Sequence, residues 1–419
     1  QGGTALCHLL EGDGMISSFE FGSGRLRYRN RYVRTPAYKL GLGTGGMKIR
    51  TAGTMLPGGP DANVGQEVAR QANTNVQLHA GRLLALYGGA QPWELAPDTL
   101  DTIGVCDLGG VVGPDRGFSA HHKIDPATGE LYNFSHVGGP APTLTLYRVD
   151  TQGAGANLGT YDVPYGDWIH DFAITERHFV FALSPFRFDY ERLLGGLASP
   201  VAALGLLADQ PTVFMIIPRD GGTPRMVEHE GFGYFHVTNA YEDGTDIVLD
   251  LAKFERGFDY ANQAMFDYRT GGVGYFANQV MRYRIGTEHV REQPVGDFRS
   301  DWPQLDWRRI GRQHRFSYHS THVADTAEGG LAQVDHERET TVVHRLGAGH
   351  IVSESSFVPR SAGAAEDDGW VLFTAYDPAV HRTRLIVLDA RDVGGEPVAV
   401  AHLRHHVPMT FHGSFATPS

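Results

Sequence analysis

Apolar residues in this chain come in runs of strand length, and glycine or another turn residue ends each run before a helical repeat develops. The segments Arg82–Tyr87, His178–Leu183, Thr212–Ile217, Asp246–Leu251 and Gly369–Ala375 are of this kind. They are rich in β-branched and aromatic side chains, which suit a pleated, half-buried surface. Glycine, 53 of 419 residues, is spread between the runs and reads as tight turns, not as a linker. A weak repeat accompanies the pattern. Asp125–Tyr132 is a turn leading into a strand, Ala96–Asp101 is a similar turn, and Leu146–Asp150 and Leu385–Ala390 are strands ending near Asp. Many four-strand units without regular helices between them predict an all-β fold, a β-propeller, with a pair of β-sandwiches as the rival. Residues 1–419 fit a single domain of that type. A propeller gathers loops from several blades at one end of its channel, so residues distant in sequence can meet there.

Composition removes some functions. The net charge of −12 offers no basic surface to displace counterions from phosphate, so nucleic acid is not an expected partner. Cys7 and Cys106 are too few for a disulfide framework and read as free thiols in a reducing, cytoplasmic compartment. No uncharged apolar run reaches the ~18 residues of a membrane span. The uncharged stretch 193–208, with Leu193, Leu194, Leu197, Val201, Leu204, Leu206 and Leu207, is too short to cross a bilayer. It is either a buried helix or an exposed apolar patch that touches membrane or admits a greasy substrate.

The 21 histidines carry the chemistry, yet spacing alone does not single out a set. His402 and His406 are four apart but lack the glutamate of a zinc-protease motif and follow the strand-like Val398–Val400, so they read as structural. Four others share a setting: each follows small or apolar residues and precedes a polar or glycine turn. They are His121 (Phe118–Pro126), His170 (Trp168–Ile174), His236 (Tyr234–Asp243) and His412 (Met409–Phe415). Gly41–Gly46 lacks the lysine of a phosphate-binding loop and reads as a turn, and Asp13 and Asp125 read as turn aspartates.

These four segments, in this order, resemble the metal-ligand motifs of the carotenoid cleavage oxygenases. Glu11–Met15, Tyr28–Thr35, Asn73–Val76, Phe357–Arg360 and Glu366–Trp370 resemble the same family, so the likeness runs from about residue 10 to the end. It implies a seven-bladed propeller with a dome of loops and short helices over an axial Fe(II) held by His121, His170, His236 and His412. It also selects His121 over His122, since adjacent strand residues face opposite sides. The family's apolar membrane-facing segment falls at 193–207. Its segment ahead of the Gly-Asp-Gly-Met motif has no counterpart before Glu11, so residues missing ahead of Gln1 are expected. The family orients its ligands with three glutamates. Glu354 matches one, and Asp301, one methylene shorter, stands at the second. No carboxylate stands at the third, near Gly88, for which Glu94 is a candidate substitute. Tyr87 occupies the position where the stilbene-cleaving branch carries lysine, which leaves carotenoids, apocarotenoids or other aryl alkenes as substrates.

Four neutral imidazoles suit Fe(II) and leave two positions of an octahedral shell open, enough for O2 without a keto-acid cosubstrate. The implied activity is a dioxygenase that splits a C=C bond of an apolar conjugated alkene into two carbonyl products. The rivals are an isomerase or hydrolase reaction at the same iron, and a propeller that only binds.

Overall fold

The computed structural model describes residues 6, 8–22, 24–42, 46–207, 209–254, 278–323 and 328–416. Cys7, the centre of the Gly41–Gly46 turn and Ala208 lie outside the described residues. The chain is almost entirely antiparallel β-structure.

The hairpin β1 (Met15–Gly22) and β2 (Arg25–Tyr32) leads into a short helix, α1 (Pro36–Gly41), which Thr35 caps. Then come sheets of four. The first holds β3 (Asn75–His79), β4 (Arg82–Leu86), β5 (Trp93–Leu95) and β6 (Thr102–Val105). The second holds β7 (Lys123–Ile124), β8 (Leu131–Val137), β9 (Thr143–Val149) and β10 (Gly155–Asp162). The third starts with β11 (Ala173–Ile174) and β12 (His178–Leu183).

An excursion interrupts the third sheet: β13 (Phe186–Phe188), α2 (Tyr190–Leu194), α3 (Pro200–Ala203) and β14 (Leu204–Leu206). The sheet resumes with β15 (Thr212–Pro218) and β16 (Arg225–His229). A seven-stranded sheet follows: β17 (Tyr234–Asp243), β18 (Asp246–Phe254), β19 (Asn278–Ile285), β20 (Val290–Gln304), β21 (Phe316–Val323), β22 (Glu328–Asp335) and β23 (Thr340–Ala348). The 15-residue β20 pairs with β19 mainly through its first half and with β21 through its second, so one strand serves two four-strand sets. The last sheet holds β24 (Ile351–Val352), β25 (Ser356–Pro359), β26 (Gly369–Asp377), β27 (Arg382–Asp389) and β28 (Ala399–His402).

Successive sheets pack face to face in a propeller-like arrangement. Phe134 and Leu146 of the second sheet meet Phe181 and Met215 of the third. Phe214 and Ile216, on the other face of that strand, meet Leu249 and Tyr283 of the next. Tyr318 and Leu331 meet Phe373 and Ile386. The period-two burial of β26 shows the same alternation within one strand. Truncating a plug such as Phe214 to Ala costs ~3–5 kcal/mol.

The segment 193–207 is not one helix. Gly195 and Gly196 end α2, and Ser199 starts α3 by capping it ahead of Pro200. The pieces divide by burial. Val201 and Leu204 pack with Phe186 and Phe235, with Leu206 partly buried against them. Leu193 is half-buried, whereas Leu194, Leu197 and Leu207 are exposed. No helix among the described residues is long and apolar enough to cross a membrane.

Candidate metal centre

Each of the four sequence-selected histidines reaches the site by a different route. His121 lies just before β7 and His170 just before β11. His236 is the third residue of β17, where the pairing with β18 shifts register twice between Tyr234 and Asn239. Such bulges re-aim a side chain, so His236 sits within a strand and not at its end. Gly233 just ahead lets β17 lie close to its neighbours, since a Cβ there would come within 2.7 Å of Phe254 and 2.9 Å of Phe186. His412 sits in the extended segment past β28, held by its N–H to Thr74 O at 3.1 Å.

The rings converge. His121 is 4.4, 4.9 and 4.6 Å, centroid to centroid, from His170, His236 and His412. His236 is 5.1 Å from His170 and 4.8 Å from His412. Nitrogens of His121, His236 and His412 lie within 4.8 Å of one another, and His170 Nε2 is 3.3 Å from His236 Nε2. His122 turns away, its Nε2 2.9 Å from Gln77 Oε1. His402 is exposed on β28, and His406 stacks near His381 at 4.3 Å.

Carboxylates fix which nitrogen faces inward. His412 Nδ1 is 2.8 Å from Glu354 Oε1, and His236 Nδ1 is 2.6 Å from Asp301 Oδ1. A neutral imidazole that donates Nδ1–H to a carboxylate presents its Nε2 lone pair on the opposite side. Asp301 manages this with its shorter side chain because β20 is bulged there: Trp302 is at φ +50° and the register shifts between Asp301 and Pro303. Asn278 Nδ2 donates to the other oxygen, Oδ2, at 2.8 Å. Sequence reasoning did not find Asn278, because nothing in its own segment marks it. Among the described residues, no hydrogen bond from a third carboxylate to these rings is seen. Glu94 faces Arg82 at 4.0 Å, and Gly88 leaves open space where a side chain would begin.

The electrostatics favour neutral rings. Burial, reinforced by the neighbouring imidazoles, holds His121 and His170 well below the usual histidine range and His236 at about 3. Burial pushes Asp301 up to about 7, against the N–H of Trp302 and the amide of Asn278. His121 Nε2 is buried without a hydrogen-bond partner. A buried nitrogen lone pair left unpaired costs ~1–3 kcal/mol, and a cation at the centre of the four rings removes that cost. The donor set therefore fits a divalent metal of imidazole preference.

Apolar side chains wall the cluster. Trp168 lies parallel to His170 at 5.5 Å and Phe235 meets it edge-on at 5.0 Å. Met409, Phe411 and Trp168 join the same apolar group as Val201 and Leu204. Asp167 ties the excursion to the His170 segment, accepting from Tyr190 Oη at 2.6 Å and Phe188 N at 2.9 Å.

A second group, Asp250, His314 and His336, also places ligand-type atoms together. Its lone pairs are already committed. Arg282 holds both Asp250 oxygens at 2.8 and 2.7 Å and donates to His336 Nδ1 at 3.1 Å. His336 Nε2 must then carry its proton toward Ser317 Oγ, whose own proton goes to His319 Nε2, each at 2.8 Å. This is a hydrogen-bonded strut, not a metal site.

Strands and loops of a propeller-like fold that bring four imidazoles together make a His-rich site suited to a metal ion. The chain belongs to the carotenoid cleavage oxygenase family: residues 1–417 match the family described as retinal pigment epithelial membrane protein. It is 32% identical to the apocarotenoid-15,15'-oxygenase of Synechocystis, over 99% of this chain and 87% of that protein. It is 27% identical to the isoeugenol monooxygenase of Pseudomonas putida, over 96% of this chain and 87% of that one. The solved cobalt-substituted Synechocystis apocarotenoid oxygenase superimposes with a TM-score of 0.93 at 32% identity, covering all of this chain and 90% of that one.

Proposed function

We propose that this protein is a non-haem Fe(II) dioxygenase that cleaves a C=C bond of an apolar conjugated alkene, with His121, His170, His236 and His412 as its iron ligands. The convergence of these four rings, with His121 Nε2 buried and unpartnered, carries the reading. When bound, the iron supplies activation of O2. The net reaction divides the alkene and one O2 into two carbonyl compounds, each keeping one oxygen atom. Glu354 and Asp301 orient His412 and His236, and Trp168, Phe235 and Phe411 keep the approach dry and apolar. Relatives named for apocarotenoid, isoeugenol and lignostilbene oxygenation support substrates of the conjugated or aryl-alkene class.

The three four-stranded sheets, the two sets that share β20, the five-stranded last sheet and the β1–β2 hairpin make seven blades in this reading. The hairpin packs on the first set through Ile16 and reaches the C-terminal segment through Tyr28 and His405, 5.3 Å apart. Helices α1 to α3 and their loops form the dome. Leu194, Leu197 and Leu207 are exposed above the buried Val201 and Leu204, an arrangement suited to peripheral membrane contact or substrate entry.

The test is anaerobic loading with Fe(II), then turnover of apocarotenoid and aryl-alkene substrates under ¹⁸O2. One labelled oxygen in each carbonyl product is expected. Products without label would overturn oxygenative cleavage in favour of isomerase or hydrolase chemistry, and protein that takes up no Fe(II) would leave a binding propeller.

A further inference from the structure

The Asp171 carboxylate meets three of the four segments that carry the four histidines. It follows His170 directly. Its Oδ1 accepts from its own neighbour Phe172 N at 2.7 Å and from Lys123 Nζ at 2.9 Å, two residues beyond His121. Its Oδ2 accepts from Val237 N at 2.8 Å, the residue after His236. The backbone takes part as well, since Tyr234 Oη donates to Asp171 O at 3.0 Å. The carboxylate side chain is 2% exposed and that of Lys123 is 18% exposed. Ser119 adds a weaker tie between the first two segments, receiving His121 N at 3.0 Å and donating to His170 O at 3.4 Å.

We propose that Asp171 is a positioning residue for the metal centre: its carboxylate fixes the spacing of the His121, His170 and His236 segments, and Lys123 serves as its counter-ion. This rests on the four-histidine reading above. The geometry needs a carboxylate specifically. Both oxygens accept, two of the three donors being fixed backbone N–H groups and the third the Lys123 ammonium. An amide in its place sets an NH2 either against Val237 N–H or against Phe172 N–H and the Lys123 ammonium. Either orientation loses an acceptor and opposes donor to donor. Segments displaced by a few tenths of an ångström no longer present their imidazoles at matched distances, and ligands mispositioned in this way lose ~10–100-fold in metal affinity.

The test is anaerobic titration of the apo protein with Co(II) and with Fe(II), read as dissociation constants and as the Co(II) visible spectrum, beside thermal melting of the apo protein. Asp171→Asn is expected to weaken both metals at least about tenfold and to shift the Co(II) bands. Lys123→Met leaves Asp171 holding both backbone N–H groups, and less than about threefold loss is expected. The double variant Lys123→Met/Asp171→Asn is expected to stay as weak as Asp171→Asn alone. Should Asp171→Asn not fold, Asp171→Ser, which removes the acceptors without setting an amide against Val237, carries the same expectation. Parent-like affinity and spectrum in Asp171→Asn overturn the proposal. Recovery in the double variant also overturns it, because the loss would then come from an unpaired lysine charge. A parent protein that binds neither ion instead refutes the four-histidine site itself.

Discussion

Asp301 Oδ1 stands 2.6 Å from His236 Nδ1, and the kink at Trp302 puts it there. The bulge in β20 makes up for the methylene that a glutamate would have supplied. A bulky residue at φ +50° is strained, and the bonds from Trp302 N and Asn278 to the Asp301 carboxylate hold the kink in place.

Asp301→Asn is expected to weaken Fe(II) binding ~10–100-fold, the usual cost of losing a carboxylate behind a metal-bound imidazole. Asp301→Glu is expected to weaken it as well, because the bulged backbone already brings the shorter carboxylate to 2.6 Å from His236 Nδ1. Anaerobic Fe(II) titration of both variants checks this, and a tighter Asp301→Glu would show that the bulge does not compensate for length.

His170→Ala and His412→Ala are expected to lose the metal while remaining folded, with near-parental far-UV circular dichroism. His122→Ala is expected to keep it. Its cost is the bond to Gln77 Oε1, ~1 kcal/mol in urea unfolding. Metal analysis of the three purified variants decides. Loss of metal in His122→Ala would mean that the other ring of the pair faces the centre.

Gly88→Glu places a carboxylate near the position at which the family resemblance implies a third. A Cβ there meets nothing within 4 Å, so the change is expected to fold with a stability change within ~0.5 kcal/mol. Iron retention against a chelator is expected to lengthen, and shorter retention would count against a vacancy at this position.

Acid should destabilise the protein from near neutrality downward. Burial holds His314 at about 4 and His319 and His336 at about 3, whereas an unfolded histidine titrates near ~6.5. Below that pH the unfolded chain binds more protons. Each of these residues then subtracts up to about 1.4 kcal/mol per pH unit, and the loss continues until the folded groups titrate. Urea unfolding at falling pH measures this, and His319→Leu should give a visibly shallower slope.

Leu194→Asp/Leu197→Asp is expected to leave stability within ~0.5 kcal/mol, since both side chains are exposed, and to reduce co-sedimentation with lipid vesicles. Val201→Asp, within the buried group beside Phe235, is expected to unfold the excursion. Unchanged vesicle binding in the first variant would refute membrane contact at this patch.

Much of the centre was legible because its chemistry is written into local motifs. His121, His170, His236 and His412 each sit among residues that fix their setting, and Glu354 and Asp301 stand within hydrogen-bond distance of His412 and His236. Asn278 and Asp171 were not legible as partners. Their roles arise from strands that become neighbours only after folding, and an asparagine at the start of a strand or an aspartate after a histidine has many duller uses. Glu94 failed as a substitute because β5 turns it toward Arg82. The apolar segment reads as one stretch in the sequence, and Gly195-Gly196 and Ser199-Pro200 divide it into two short helices with buried and exposed parts.

His412 belongs to the segment that returns to the first sheet, with its N–H on Thr74 O and Ser414 Oγ on Val76 O. Three of the imidazoles are in place by residue 236, and the fourth follows only after strands β18 to β28. A metal ion held by all four rings would fasten the His412 segment to three segments that lie far ahead of it in the chain.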